Sequence, residues 1–362
     1  MRILILGDIC PTPHTEPYFA GVDMEALFGD FPRIVGQHDA TLINLECAIT
    51  DSEHKIKKFG PNLKAPVQMA QVLKKLGVDC CSLSNNHIFD FGIPGYLDTI
   101  AALDAQGICY TGFGENAADA RKNFYLEQDG QRICVIAVCE HEYSYALPDR
   151  MGSRGFDPFE TIADIRKAKE EADRVIVLYH GGKELCPYPS PRLQKACRAM
   201  VKAGADVVTC QHSHCIGCYE AFEGGHIVYG QGNFHFVKLF GSSPACWDTG
   251  ISISYDTASN ALSLIPHRVT ETGIAPAQGE DAQNILAEMA QRDASLQDGN
   301  WLRGWQAFCE ENREFYTAVI ANAMVEGASP SKNHLFAHYL DCEAHRDVWQ
   351  ELFKTANHTN EI

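Results

Sequence analysis

Asp8, Glu46, Asn86, His180, His212 and His214 are far apart in the chain, yet each ends or closely follows a short apolar run of the kind that forms a buried β-strand. Residues 3–6 run into Gly7 and Asp8, residues 40–45 into Glu46, and residues 78–83 into Asn85, Asn86 and His87. Residues 175–179 lead to His180, and residues 206–209 to the histidine pair. In α/β sheets the crevice beyond the carboxyl ends of the strands is where ligands collect. Carboxylate, amide oxygen and imidazole delivered there form a donor set for one or two divalent cations, suited to Mn, Fe, Zn or Ni rather than to a thiolate-selected ion. His212 and His214, two residues apart on an extended segment, are expected to point the same way. Taken singly, each residue has a plainer reading: Asp8 as a turn acid, Glu46 as a solvated acid, Asn85 and Asn86 as turn formers, His180 as a buried histidine bonded to a backbone carbonyl. Their shared position at strand ends is what favours a metal centre.

Strands so placed need helices between them. Residues 66–76 carry Val67, Ala70, Leu73 and Leu76 at helical intervals and stop at Gly77. Helical patterns recur at 96–103, 161–172 and 192–202, with strands at 108–110, 132–138, 227–229, 251–255 and 262–265. The alternation implies a layered α/β fold with a mixed β-sheet core flanked by helices. Near Gly273-Ile274-Ala275-Pro276 the pattern changes, and 284–291, 301–325 and 333–352 read as helical. The expected organisation is one domain over residues 1–275 and a helical C-terminal extension over 276–362, whose role as a cover for the crevice or as a homodimer contact stays open. Trp301, Trp305 and Phe308 lie at helical spacing and read as packing contacts.

The chain has 362 residues, 45% hydrophobic and 21% charged, the composition of a globular protein. A net charge of −17 argues against nucleic acid as a partner. It leaves a small phosphorylated substrate open, because bound divalent ions reverse the local field. No stretch approaches the roughly 18 apolar residues of a membrane span, and the N-terminal run is too short for a signal peptide. A soluble, cytoplasmic protein with no integral membrane segment is expected. Its 15 cysteines, an odd number without a secretion signal, favour free thiols.

The sequence resembles the CapA-type capsule or poly-γ-glutamate biosynthesis family, a branch of the calcineurin-like metallophosphoesterase superfamily. The likeness rests on Gly7-Asp8, Asn44-Leu45-Glu46, and Ser84-Asn85-Asn86-His87 with Asp90 and Gly92. It continues through His180-Gly181-Gly182-Lys183-Glu184, Gly204-Ala205-Asp206 leading to His212-Ser213-His214, and Tyr229 with Gly232-Asn233-Phe234. The resemblance implies a metallophosphoesterase-like fold holding two ions, Mn, Fe or Zn. Glu46 would bridge them, Asp8 and His214 would complete one, and Asn86, His180 and His212 the other. It also implies that His87 acts on the leaving group and that Asp90 orients His87. The implied reaction is hydrolysis of a phosphoester by a metal-activated hydroxide, on a small phosphorylated or polymer-derived substrate. Lys183, Glu184 and Asn233 are substrate-contact candidates by neighbourhood.

Two departures from the family pattern matter. The superfamily opens with an acid and a histidine two positions apart, and here Cys10 holds the second position, offering a thiolate that would favour Zn. Gly181 replaces a tryptophan that the family tends to carry, which removes an expected wall residue from the pocket. Other readings stay open at this level. Cys210, Cys215 and Cys218 could join the histidine pair in a structural zinc site. The protein could act on an amide or glutamyl polymer, or be a non-catalytic polymer-binding relative. An ATP-driven ligase is disfavoured, because no phosphate-cradling loop is present and neither Gly112-x-Gly114 nor Gly230-x-Gly232 completes a dinucleotide fingerprint. Glu140-His141-Glu142, after the β run at 132–138, reads as a solvated loop.

Overall fold

The computed structural model describes residues 1–239, 244–325 and 327–354, and in it two β-sheets pack face to face with helices on their outer sides. The eight-stranded sheet runs in the order Ile274–Pro276, Ala261–Val269, Thr249–Asp256, Arg2–Ile9, Ala40–Leu45, Cys80–Ser82, Cys109–Thr111, with Asn233–His235 paired to Arg2–Ile9 off this path. Arg2–Ile9 is parallel to Ala40–Leu45 and antiparallel to Thr249–Asp256, so the sheet is mixed. The six-stranded sheet runs Tyr219–Phe222, Gly225–Val228, Val207–Gln211, Arg174–His180, Gln131–Cys139, Phe124–Gln128. Its three central strands are parallel and in register at one end, with Cys139 opposite His180 and His180 opposite Gln211.

Successive side chains of a strand point to opposite faces, and here both faces are covered. Ile3 and Ile5 meet Ile133, Val135, Ile176 and Leu178 between the sheets. Leu4 and Leu6 turn the other way and pack with Ile43, Leu45, Leu73 and Leu76. On the second sheet Ile136, Val175 and Val177 face Ile165 of the helix Pro158–Glu171 and Leu193 and Met200 of the helix Pro191–Ala203. Burial on both faces is why these strands read as continuous apolar runs rather than alternating ones. Phe124–Gln128 and Tyr219–Phe222, edge strands with mostly half-exposed residues, carry no such signal and were not expected.

The C-terminal region is helical, but each long expected helix is broken in two. Trp301–Glu311 and Arg313–Ala323 meet at Asn312, whose Nδ2 donates to Phe308 O at 2.8 Å. Pro330–Asp341 and Glu343–Leu352 meet at Cys342, which is extended at φ −71° and ψ 129°. Trp305, Tyr316, Tyr339 and Val348 form a core of their own. Trp301 packs against the second sheet's cluster instead. Ile274–Pro276 closes the edge of the first sheet where the sequence pattern changes. Residues 355–362 of the expected extension lie outside the described residues. No described helix is long and apolar enough to cross a membrane.

Candidate metal centre

Both sheets point the carboxyl ends of their parallel strands at one place. Asp8, near the end of Arg2–Ile9, is fully buried; its Oδ1 accepts from Asn44 Nδ2 at 2.8 Å and its Oδ2 from the His212 backbone N–H at 2.9 Å. Asn44 also lies 3.1 Å from His180 Nδ1, so one amide ties the two sheets together at the site. Asn85 has the structural role: its Nδ2 donates to Asn44 Oδ1 at 3.1 Å and to Leu45 O at 2.8 Å, and its Oδ1 accepts the backbone N–H groups of His87 and Ile88. That turn presents Asn86, whose Oδ1 sits 3.0 Å from His180 Nε2.

Glu46 lies at the centre. Potential ligand atoms of Glu46, His180 and His212 fall within 4.8 Å of one another, and so do those of Asp8, Glu46 and His214. Glu46 is fully buried, and neither of its carboxylate oxygens has a hydrogen-bond partner among the described residues. Burial pushes its carboxyl pKa up, but the charges of His180 and His214, the His180 Nε2 contact at 3.4 Å and the charge of His87 outweigh burial and bring it to about 2. Asp8 is raised, by burial first and then by Glu46. Among the described residues only histidines lie within ion-pair distance of these two acids. A buried carboxylate left without donors costs several kcal/mol unless a cation takes their place. The unpartnered Glu46 oxygens, ringed by imidazole and amide oxygen, fit divalent cations.

The histidine pair differs from the expected geometry. His212 and His214 are not extended; both are left-handed, at φ 81° and 53°. Their rings therefore diverge, with centroids 6.1 Å apart, which places them in different donor groups joined by Glu46. His214 Nδ1 lies 2.7 Å from Asn233 Oδ1, a contact that fixes the ring and leaves its other nitrogen available. Asn233, a substrate-contact candidate by neighbourhood, is buried with its Oδ1 against His214.

His87 and Asp90 form a dyad, with His87 Nδ1 2.6 Å from Asp90 Oδ2. Asp90 is fully buried and also accepts from Leu63 N–H at 2.8 Å and from Lys58 Nζ at 2.6 Å. Lys58 Nζ lies 3.1 Å from His87 Nδ1. The His87 ring opens on a cavity of about 340 Å³ lined in part by Lys58, Asn86, Glu142, Glu184 and His214. Glu184 is exposed at its mouth; Lys183 stands beside it, its Nζ 3.8 Å from Glu184 Oε2. The C-terminal helices close one wall with His338, Tyr339 and His345, so the extension covers the crevice.

Several sequence expectations change. Glu140 and Glu142 are not in a solvated loop: both are buried, and Glu142 lies 3.3 Å from His212 Nε2 and 3.1 Å from Asn86 Nδ2. The signal was available, because these acids follow a strand adjacent and parallel to the one ending in His180. Lys58 had no comparable signal. Gly181 does not open the pocket, since a Cβ there would meet Glu140 Cγ at 2.5 Å and Tyr179 Cε1 at 2.7 Å. Cys10 packs in the core with its thiol donating to Pro11 O at 3.2 Å, and burial and Cys47 push its pKa up, away from a thiolate. Cys210 faces Cys197 at 3.6 Å and Cys218 faces Pro187 O at 3.5 Å. No cysteine joins a donor group among the described residues, so the structural zinc reading falls.

The family described as bacterial capsule synthesis protein PGA_cap matches residues 2–238. The capsule biosynthesis protein CapA of Bacillus anthracis is 33% identical over 307 residues, covering 82% of this chain and 74% of that protein. The PGA biosynthesis protein CapA of Bacillus subtilis (strain 168) is 28% identical over 235 residues, 64% of this chain and 62% of that protein. The crystal structure of a hypothetical protein from Thermus thermophilus superposes with a TM-score of 0.47 at 17% identity, covering 75% of this chain and all of the other. The chain belongs to the bacterial capsule synthesis PGA_cap family.

Proposed function

We propose that this chain is a metal-dependent hydrolase of phosphoesters, holding two divalent cations on Asp8, Glu46, Asn86, His180, His212 and His214. The observation that carries the reading is the Glu46 carboxylate, fully buried, with His180 Nε2 at 3.4 Å but no well-formed hydrogen bond among the described residues, and common to two groups of ligand atoms. When bound, a cation pair of this kind polarises a phosphoryl oxygen and brings the pKa of water toward neutrality. The chain's own residues do the rest. Asn44 and Asn233 hold the rings of His180 and His214 in place. His87 turns its Nδ1 to Asp90, which orients the ring, and its Nε2 would be the atom that passes a proton to the leaving oxygen. Lys58 fixes the other carboxylate oxygen of Asp90.

The two Bacillus relatives are named for capsule and PGA biosynthesis, and that association favours a polymer-derived substrate here, while the cation-pair reading admits a small phosphorylated one. The test is elemental analysis of the purified protein together with turnover of a panel of phosphate mono- and diesters in added Mn²⁺. Bound metal with ester turnover, both reduced in Glu46→Ala, supports the reading. Stoichiometric metal without turnover of any ester refutes the phosphoesterase and leaves a binding or amide-directed protein.

A further inference from the structure

Outside the two groups that share Glu46, Glu142, His338 and His345 also place ligand atoms within 4.8 Å of one another. Glu142 follows the strand Gln131–Cys139, while His338 ends the helix Pro330–Asp341 and His345 begins Glu343–Leu352. Both histidines lie beyond the stretch matched by the family. The extended residue Cys342 breaks the helix between them and turns the chain, so two rings seven positions apart come to 5.2 Å between centroids.

Each ring is held. His345 Nδ1 is 2.6 Å from Tyr316 OH, and the ring stacks on Tyr339 at 3.6 Å. The His338 ring stacks on Tyr143 at 4.6 Å, with Nε2 4.0 Å from Glu142 Oε2. Glu142 is buried, and among the described residues its ion-pair contacts are histidines alone. All three residues line the 340 Å³ cavity that His87 also lines.

We propose that Glu142, His338 and His345 form a third divalent-cation site, beside the proposed pair and open to the same cavity. Two imidazoles and a carboxylate make a zinc-type set that leaves a position for water or a substrate oxygen. The site adjoins the pair, because Glu142 also lies 3.3 Å from His212 Nε2. It does not depend on the hydrolase reading. The C-terminal helices thereby complete the centre instead of only covering it.

The experiment is zinc stoichiometry on the full chain after loading and desalting, with the cobalt-substituted protein as a second readout. Glu46→Ala removes the shared ligand of the pair and should still retain one equivalent of zinc. Adding His338→Ala or His345→Gln to that variant should remove it. The d–d absorption of the remaining Co²⁺ should vanish with it, while far-ultraviolet circular dichroism confirms that the double variants are folded. Zero zinc already in Glu46→Ala, with zinc present in the wild type, overturns the third site and leaves the pair intact. Equal zinc in the single and double variants, even with altered substrate affinity, also overturns it and assigns the histidines to substrate contact.

Discussion

Replacing His87 by alanine separates its proposed chemistry from metal binding, because His87 belongs to neither donor group that contains Glu46. Its ring is nearly buried, and its Nδ1 is fixed by Asp90 at 2.6 Å. Asp90 is itself pinned by Lys58 at 2.6 Å and Leu63 N–H at 2.8 Å. A positioned proton donor of this kind contributes about 10²–10⁴-fold to rate, or roughly 3–5 kcal/mol at 1.36 kcal/mol per decade. The loss should fall mainly on kcat with an alkyl phosphate ester, whose leaving oxygen needs the proton. It should shrink to within about tenfold with an aryl ester, whose leaving group departs as an anion without one. Asp90→Asn is a poorer probe. It leaves the Lys58 ammonium, whose side chain is only 2% exposed, without its counter-charge, a change that costs about 3–5 kcal/mol of stability in buried pairs. The assay is steady-state turnover of matched alkyl and aryl esters in Mn²⁺, with metal content measured on the same samples. Equal losses on both esters, or loss of metal in His87→Ala, would refute the leaving-group role.

Further outcomes follow from the same geometry. Glu46→Ala should lower the metal content of both proposed ion positions together, read by elemental analysis; loss from one alone would refute bridging. In metal-free protein, burial pushes the His212 imidazole down and the Glu142 carboxylate outweighs it, taking the pKa from 6.5 to about 10. The stabilisation is therefore complete below about pH 6.5 and fades as pH rises through 10. Thermal melts of chelated protein should show this decline, and Glu142→Gln should flatten it; an unchanged slope counts against the pair. Gly181→Ala would bring a Cβ to 2.5 Å from Glu140 Cγ, and Glu140 is held by Arg192 at 2.5 Å and Ala344 N–H at 3.1 Å. Overpacking of this kind costs about 1–3 kcal/mol, so the denaturation midpoint should fall; no change would mean that Glu140 yields freely.

Much of the centre was readable before the fold was known, and the reason is local. A parallel strand buried on both faces is a short apolar run, and the residue just past it is carried to the carboxyl edge whatever the rest of the chain does. Asp8 and His180 lie at the ends of such strands, Glu46 and His212 just past them, and Asn86 on the turn that follows one, so finding the strands was enough to group them. His214 followed from its distance to His212, although for a mistaken reason: the left-handed backbone at both residues, not an extended one, delivers the rings to separate groups. That reversal depends on contacts such as Asp8 Oδ2 with the His212 N–H, made across more than two hundred positions.

Sequence by itself determined the strands, the chemical types at their ends and hence the proposed cation pair, because strand periodicity and side-chain chemistry are properties of neighbouring residues. Only the tertiary structure decided which loop acids turn inward. It placed Glu142 between His212 and the C-terminal histidines, filled the space at Gly181 with Glu140, and buried Lys58 against Asp90. It also folded His338 and His345 over the crevice. Each of these rests on packing between segments with no local periodic signature in common. Burial and the loss of competing water, which give such contacts their strength, arise only when the segments meet.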